Sequence, residues 1–254
     1  MKDSVGLGCD ATAMTPVTPD LSIVVPTFNE AENVRPLIAR LENVLAGQAW
    51  EAIFVDDNSP DATAQVITQV ANSKPHIRCI RRIGRRGLSS AVIEGVLSSA
   101  APYIAVMDAD LQHDEQILPA MLRALSGGAV DLAIGSRYVS GGETGEWSPF
   151  RRAMSRLATT LSRLLVTHAL KDPMSGFFMV RRANFVAAIS LLSGTGYKIL
   201  LDLLASTPQP LRFVEIPYEF RPRLHGESKL SARVLAQYAM MLVQKRVPAR
   251  RVAR

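Results

Sequence analysis

Two aspartates and a glutamine fall at every second position in Asp108-Ala-Asp-Leu-Gln112, directly after the apolar run Tyr103 to Met107. A short apolar run of this kind reads as a buried strand, so Asp108, Asp110 and Gln112 stand where that strand ends. Carboxylate and amide oxygens gathered at one point suit a hard divalent cation, which such sites hold together with substrate phosphates. An acidic pair alone is also what many solvated loops contain. The surrounding elements decide between the two.

Leu21 to Pro26 is an apolar run closed by proline, followed by Thr27-Phe-Asn-Glu30. Asn29 is placed to cap the next helix, with Glu32 in its first turn and Val34, Leu37, Ile38, Leu41 and Leu45 on one face. Glu51 to Asp57 reads as a second strand stopped by Asn58-Ser-Pro-Asp61, and a helix to about Val70 leads to a third strand, Ile77 to Ile80. A basic, glycine-containing loop, Arg81 to Gly87, precedes a helix from Leu88 to Ala100. After the strand at Tyr103, a helix from Glu115 to Leu125 and a strand from Asp131 to Gly135 continue the alternation. Strand–helix alternation predicts a parallel, doubly wound α/β sheet with helices on both faces. Ligands of such sheets sit beyond the carboxyl ends of the strands, and there the polar groups collect: Pro26 to Glu30, Asp56-Asp57, and Asp108-Ala-Asp110.

Absences narrow the chemistry. No Gly-x-Gly-x-x-Gly follows the first strand and no Gly-Lys-Ser/Thr loop occurs, which argues against dinucleotide and P-loop folds. The Asp-x-Asp pair follows the fourth strand, not the first as a phosphatase of the Asp-x-Asp-x-Thr kind would require. The 254 residues are 48% hydrophobic and 20% charged, the composition of a globular domain with a sizeable core. A formal charge of +6 favours anionic partners: phosphates, nucleic acid or an anionic membrane surface. Cys9 and Cys79 offer no disulfide framework. Residues 1–20 read as a disordered tail without a signal-peptide core, and no uncharged stretch approaches the ~20 residues of a membrane span.

Six motifs occur in order between Leu21 and Leu230: Val25-Pro-Thr-Phe-Asn-Glu30, Val55-Asp-Asp-Asn-Ser-Pro-Asp61, Asp108-Ala-Asp-Leu-Gln112, Gly135-Ser-Arg-Tyr138, Asp172-Pro-Met-Ser-Gly-Phe177 and Gly226-Glu-Ser-Lys229. Together they resemble the family 2 glycosyltransferases, and among these the dolichol- or polyprenol-phosphate mannose synthases. The resemblance implies a GT-A fold over residues 21–228, mainly parallel and flanked by helices, with an amphipathic helix and basic tail in 229–254. It implies inverting transfer of mannose from GDP-mannose to a polyprenyl phosphate. A UDP-sugar such as UDP-glucose is the alternative donor, and a non-catalytic membrane-associated module the alternative class. Pro26, Phe28, Glu30, Val55 and Asp57 would hold the nucleoside, with Asp108 and Ala109 lining the same pocket. Asp110 and Gln112 would ligate Mg2+ or Mn2+ on the diphosphate, and Arg137, Arg223 and Lys229 would face the substrate phosphates as catalytic cations beside Asp110. Arg151, Arg152, Asp172 and Ser175 are candidate contacts to the acceptor phosphate, although Asp172 could equally hold its own loop. His113 reads as a hydrogen-bonded or exposed loop histidine. Two departures from the family pattern stand out: Phe28 in place of a frequent tyrosine, and Ser89 where Gly-Leu-Gly is common, which tightens that loop.

The chemistry needs little proton transfer. A phosphate monoester has a second pKa of about 6, so the acceptor is already a nucleophile near neutral pH. What is needed is positive charge to hold two anions together: arginine by its fork, lysine as a point charge. Arg152, Arg156 and Arg163 share a helical stripe, and Ser228 to Arg246 carries Lys229 and Arg233 beside an apolar face, the pattern of interfacial helices. A polyprenyl phosphate and a membrane surface, and no nucleic acid, are therefore the expected partners. The expected location is peripheral, on the cytoplasmic face of a membrane.

Overall fold

The computed structural model describes residues 18–143 and 170–223. The motif at Gly226 to Lys229, Arg151 and Arg152, the two interfacial helices and nearly all of the expected tail lie outside the described residues.

Seven strands form one sheet in the order β3-β2-β1-β4-β6-β5-β7. They are β1 (Leu21–Thr27), β2 (Trp50–Asp56), β3 (Ile77–Arg81), β4 (Tyr103–Val106), β5 (Leu132–Ser136), β6 (Phe178–Arg181) and β7 (Phe213–Pro217). The helices are α1 (Ala31–Val44), α2 (Thr63–Ala71), α3 (Leu88–Leu97), α4 (Leu118–Ser126, after a 3-10 turn at Glu115–Ile117), α5 (Arg182–Ala188) and α6 (Ile199–Ser206). Alternation along the strands sends side chains to two cores. Leu21, Ile23 and Val25 of β1 join α1, α2 and α4, whereas Val24, with Ile53 and Val55 of β2, joins α3, α5 and α6. Helix α3 lies close on β1 and β2 because Gly95 faces them: a Cβ there would overlap Val24 and stand 3.2 Å from a Val55 methyl.

The α/β alternation and the sheet with helices on both faces are as the sequence pattern predicts, with two differences. Strand β6 runs antiparallel to both β4 and β5. Its amino end therefore lies at the rim where the parallel strands have their carboxyl ends, and the loop before it, Asp172 to Phe177, is delivered to that rim. Asn29 does not cap α1. Its backbone is left-handed, φ 58°, and the helix begins after Glu30 without a side-chain cap of its own. The N–H groups of this corner donate instead to the β2–α2 loop and the first residue of α2: Asn29 to Ser59 Oγ (3.0 Å), Glu30 to Thr63 Oγ1 (3.0 Å) and Ala31 to Asp61 Oδ2 (3.1 Å). Capping from across the rim fastens the first two polar loops to each other.

Candidate active site

A cavity of about 580 Å³ opens at the rim, lined by Pro26, Phe28, Glu30, Asp57, Asp108, Ala109 and Asp110. All belong to the set expected around the nucleotide sugar; of the rest of that set, Val55 is wholly buried in the core between the sheet and α3, and Gln112 and Arg137 are not among the lining residues. Arg86, Leu88, Tyr197 and Arg223 complete the walls. Arg86 places its guanidinium 4.5 Å from the centre of the Phe28 ring, a cation–π contact that closes the first loop under the basic loop.

Asp57 is tied down from two sides. Arg82 Nε donates to its Oδ1 (2.6 Å) and the Gly87 N–H to its Oδ2 (2.7 Å). Arg82 is itself fully buried and also donates to Ser90, Glu94 and the Gly87 carbonyl. Gly87 supplies the φ of +135° that lets its amide turn toward Asp57. Two residues on, Ser89 Oγ and N–H both donate to the Gly196 carbonyl (2.9 and 3.3 Å), joining the basic loop to the Gly194–Tyr197 wall. A glycine at 89 would lack the side-chain half of that link.

At the other end of the cavity Asp110 is buried. Its Oδ1 accepts the Gln112 N–H (3.2 Å) and its Oδ2 accepts from Arg223 Nη2 (2.6 Å). Burial pushes the Asp110 carboxyl above its ordinary range, and the neighbouring Asp108 adds to this. Gln112 Oε1 also accepts from Arg223 Nη2, at 3.4 Å. Carboxylate and amide oxygens thus already converge on one positive group, with Asp108, 39% exposed at its side chain, beside them on the cavity wall. That donor set fits a hard divalent ion whose remaining ligands are water and substrate phosphate. Among the described residues no cluster of three or more His, Cys, Asp or Glu could enclose a cation without such help.

His113 stands behind this turn. The Asp108 N–H donates to its Nδ1 (3.1 Å), the ring stacks on Phe177 at 5.1 Å, and burial pushes its pKa down to about 4. It is therefore a neutral hydrogen-bond acceptor at physiological pH. Gly176 makes room for the arrangement, since a Cβ there would meet Asp108 Oδ2 at 3.3 Å and His113 Cε1 at 3.4 Å.

Arg137 follows β5 directly and is gripped by Asp172. Nε and Nη2 donate to the two carboxylate oxygens at 2.8 Å each, and the Arg137 N–H adds a third bond at 3.2 Å. Asp172 is fully buried, and its N–H and that of Lys171 donate to the Glu215 carboxylate of β7 at 2.9 Å each. Ser175 is spent on its own loop, donating to the Gly135 carbonyl (2.7 Å) and accepting the Phe177 N–H (3.1 Å). Asp172 and Ser175, two of the four residues named as possible acceptor contacts, therefore hold the frame around Arg137.

Three further groups belong to the site and were not singled out from sequence. Lys198, at the start of α6, donates to the Met174 carbonyl (3.3 Å), and burial together with the nearby Arg137 lowers its pKa. Arg221 is clamped by Glu115 (2.9 Å) and Asp114 (2.6 Å), and its N–H pairs with the Gln112 carbonyl (2.9 Å). Tyr218 buries a hydroxyl with no hydrogen-bond partner among the described residues. Lys198 carried one available signal, a lone cation opening an otherwise apolar helix after Gly-Thr-Gly-Tyr. The other two had none, because only the fold brings residue 221 to residue 114.

Residues 22–186 match Glycosyl transferase family 2. A dolichol-phosphate mannosyltransferase of Pyrococcus furiosus is 38% identical over 86% of this chain, which spans 61% of that longer protein. The protein of the same name in Mycosarcoma maydis is 36% identical over 95% of this chain and 87% of its own length. Glucosyl-3-phosphoglycerate synthase of Mycobacterium tuberculosis, solved with Mn2+, UDP-glucose and phosphoglyceric acid, superposes with a TM-score of 0.70 at 18% identity, covering 89% of this chain and 79% of that one. A Pyrobaculum calidifontis mannosyltransferase solved with GDP-Man and Mn2+ gives 0.62 at 16% identity, over 90% of this chain and 65% of that one. The fold is that of the GT-A glycosyltransferases, and the chain belongs to glycosyl transferase family 2.

Proposed function

We propose that the chain transfers mannose from GDP-mannose to a polyprenyl phosphate, with inversion, at the cavity between Phe28 and Arg223. The observation that carries this is the meeting, at one rim, of a nucleotide-sized cavity, a carboxylate–amide oxygen set and a group of buried or half-buried cations. Phe28, Glu30 and Asp57 hold the nucleoside end, Asp57 fixed by Arg82. Asp110 and Gln112, with Asp108 beside them, would hold Mg2+ or Mn2+, which when bound neutralises charge growing on the diphosphate. Arg137, kept in place by Asp172, binds phosphate together with Arg223 and Lys198. Lys229, Arg151 and Arg152 join them by motif and charge.

No general base is required. The acceptor phosphate carries its second negative charge at neutral pH and attacks the sugar's anomeric carbon as GDP leaves from the opposite face. His113 is unsuited to be that base, since it is buried and its Nδ1 already accepts the Asp108 N–H. The protein's task is to hold two repelling anions within reach of each other, and fixed cations do that. The mannosyltransferase relatives at 36–38% identity favour this donor and acceptor. The UDP-glucose complex of the fold neighbour keeps a UDP-sugar as the second reading. A lipid acceptor favours a peripheral position at a membrane, and we take the cytoplasmic face as its side; no helix among the described residues is long and apolar enough to cross a membrane.

The test is to incubate purified protein with Mg2+, polyprenyl phosphate and either labelled GDP-mannose or labelled UDP-glucose, then count the organic phase. Label from GDP-mannose is the expected result. Label from UDP-glucose alone would reassign the donor, and none from either would leave a binding module.

A further inference from the structure

We propose that Arg223 is the placeholder for the divalent cation on Asp110, released only when a nucleoside diphosphate arrives, so that cation binding waits for the nucleotide. This rests on the assignment of Asp110 and Gln112 as the cation's ligands and goes beyond it, by giving the order of events and the residue that sets it.

A single nitrogen, Arg223 Nη2, covers both ligand oxygens: Asp110 Oδ2 at 2.6 Å and Gln112 Oε1 at 3.4 Å. The shorter distance is that of a charge-assisted bond. The second carboxylate oxygen, Oδ1, is engaged by the Gln112 N–H. A cation approaching Asp110 meets a guanidinium already seated there, and two positive charges on one buried carboxylate oxygen repel strongly at such range. Arg223 nevertheless has somewhere to go. Its side chain is 24% exposed and forms part of the cavity wall, so a diphosphate in the cavity offers the fork-matched pair of oxygens that guanidinium prefers. The exchange conserves ion pairs: Asp110–Arg223 becomes Arg223–diphosphate and Asp110–cation.

The swing has a fixed pivot. Arg221, two residues earlier, is held by Asp114 and Glu115 through its side chain and by Gln112 through its main chain in both directions, N–H to carbonyl and carbonyl to Gln112 Nε2. Arg223 is thus kept beside Asp110 at a high local concentration, which makes it an effective competitor for a weakly held ion.

The test titrates Mn2+ into the nucleotide-free protein and reads free ion by electron paramagnetic resonance, in the parent, Arg223→Gln and Arg223→Lys. Thermal melts establish that each variant is folded. Arg223→Gln should bind Mn2+ at least tenfold more tightly than the parent without nucleotide, with Arg223→Lys between the two. Equal nucleotide-free affinity in the parent and Arg223→Gln would overturn the proposal. Asp110→Asn, titrated with GDP and corrected for Mn2+ held by GDP alone, separates the two layers of inference. Binding as tight as the parent's would remove Asp110 as a ligand, and with it the reading beneath.

Discussion

A buried arginine is tolerable only with its partner in place, and Arg137 has one in Asp172. Both side chains are nearly or wholly out of solvent, 10% and 0% exposed, and they meet through two parallel bonds. Removing one partner of such a pair leaves an uncompensated buried charge, worth about 3–5 kcal/mol. Asp172→Asn should therefore lose roughly that much stability in urea denaturation, along with turnover; a loss under about 1 kcal/mol, the range of surface pairs, would mean that the pair is solvated. His113 makes a second prediction at this scale. Its pKa of about 4 lies below the ordinary 6.5 because of burial, so on acidification the unfolded chain takes up this proton first. The stability it contributes is complete above pH 6.5 and is lost progressively as pH falls toward 4. Replacing it, as in His113→Gln, should flatten that part of the stability–pH curve, measured by denaturant midpoints between pH 7 and pH 4.5. An unchanged slope would mean that the imidazole titrates normally.

At the scale of elements, the site depends on how closely α3 lies on the sheet, since α3 starts at the cavity with Leu88 while β2 ends at Asp56, one residue before Asp57. Gly95 sets that separation. Gly95→Ala should cost about 1–3 kcal/mol by overpacking, despite alanine's better helix propensity, and should weaken nucleotide binding as α3 is pushed outward. A more stable variant would show the helix free to shift. Much of this was legible in sequence because strands and helices alternate with clear periods and because polar residues gather at strand ends. Asp57, Asp108 and Asp110 could be placed on one rim before any contact was known. Val55 belongs to a motif, yet its side chain, one residue from the end of β2, faces the core. Asn29 carried the right residue type for a cap, but a left-handed backbone and three acceptors from the next loop and the first residue of α2 took over the work. The antiparallel sense of β6 had no local signal, since a four-residue strand reads the same in either direction.

For the molecule as a whole, the arrangement explains how a basic chain gathers charge where two anions must meet. On the proposed reading, the β1–β3 half of the sheet would supply the nucleoside pocket, and the oxygen set follows β4. The β5–β7 half brings Arg223 to the other side of the cavity and sets Arg137 at the end of β5, near Lys198 at the start of α6. The antiparallel insertion of β6 completes the ring by returning Asp172 to the rim. The contacts that hold Asp172 and Arg221 were the least legible part, because Glu215 to residue 172, and Arg221 to residue 114, join segments distant in sequence. The account's central claim is that a cation on Asp110, with fixed arginines and no proton acceptor, suffices for transfer. Its most direct test is to strip the protein with a chelator and follow labelled mannose from GDP-mannose into the lipid phase. Transfer should fall at least a hundredfold and return on adding Mg2+ or Mn2+. Full activity in the stripped protein would contradict the claim.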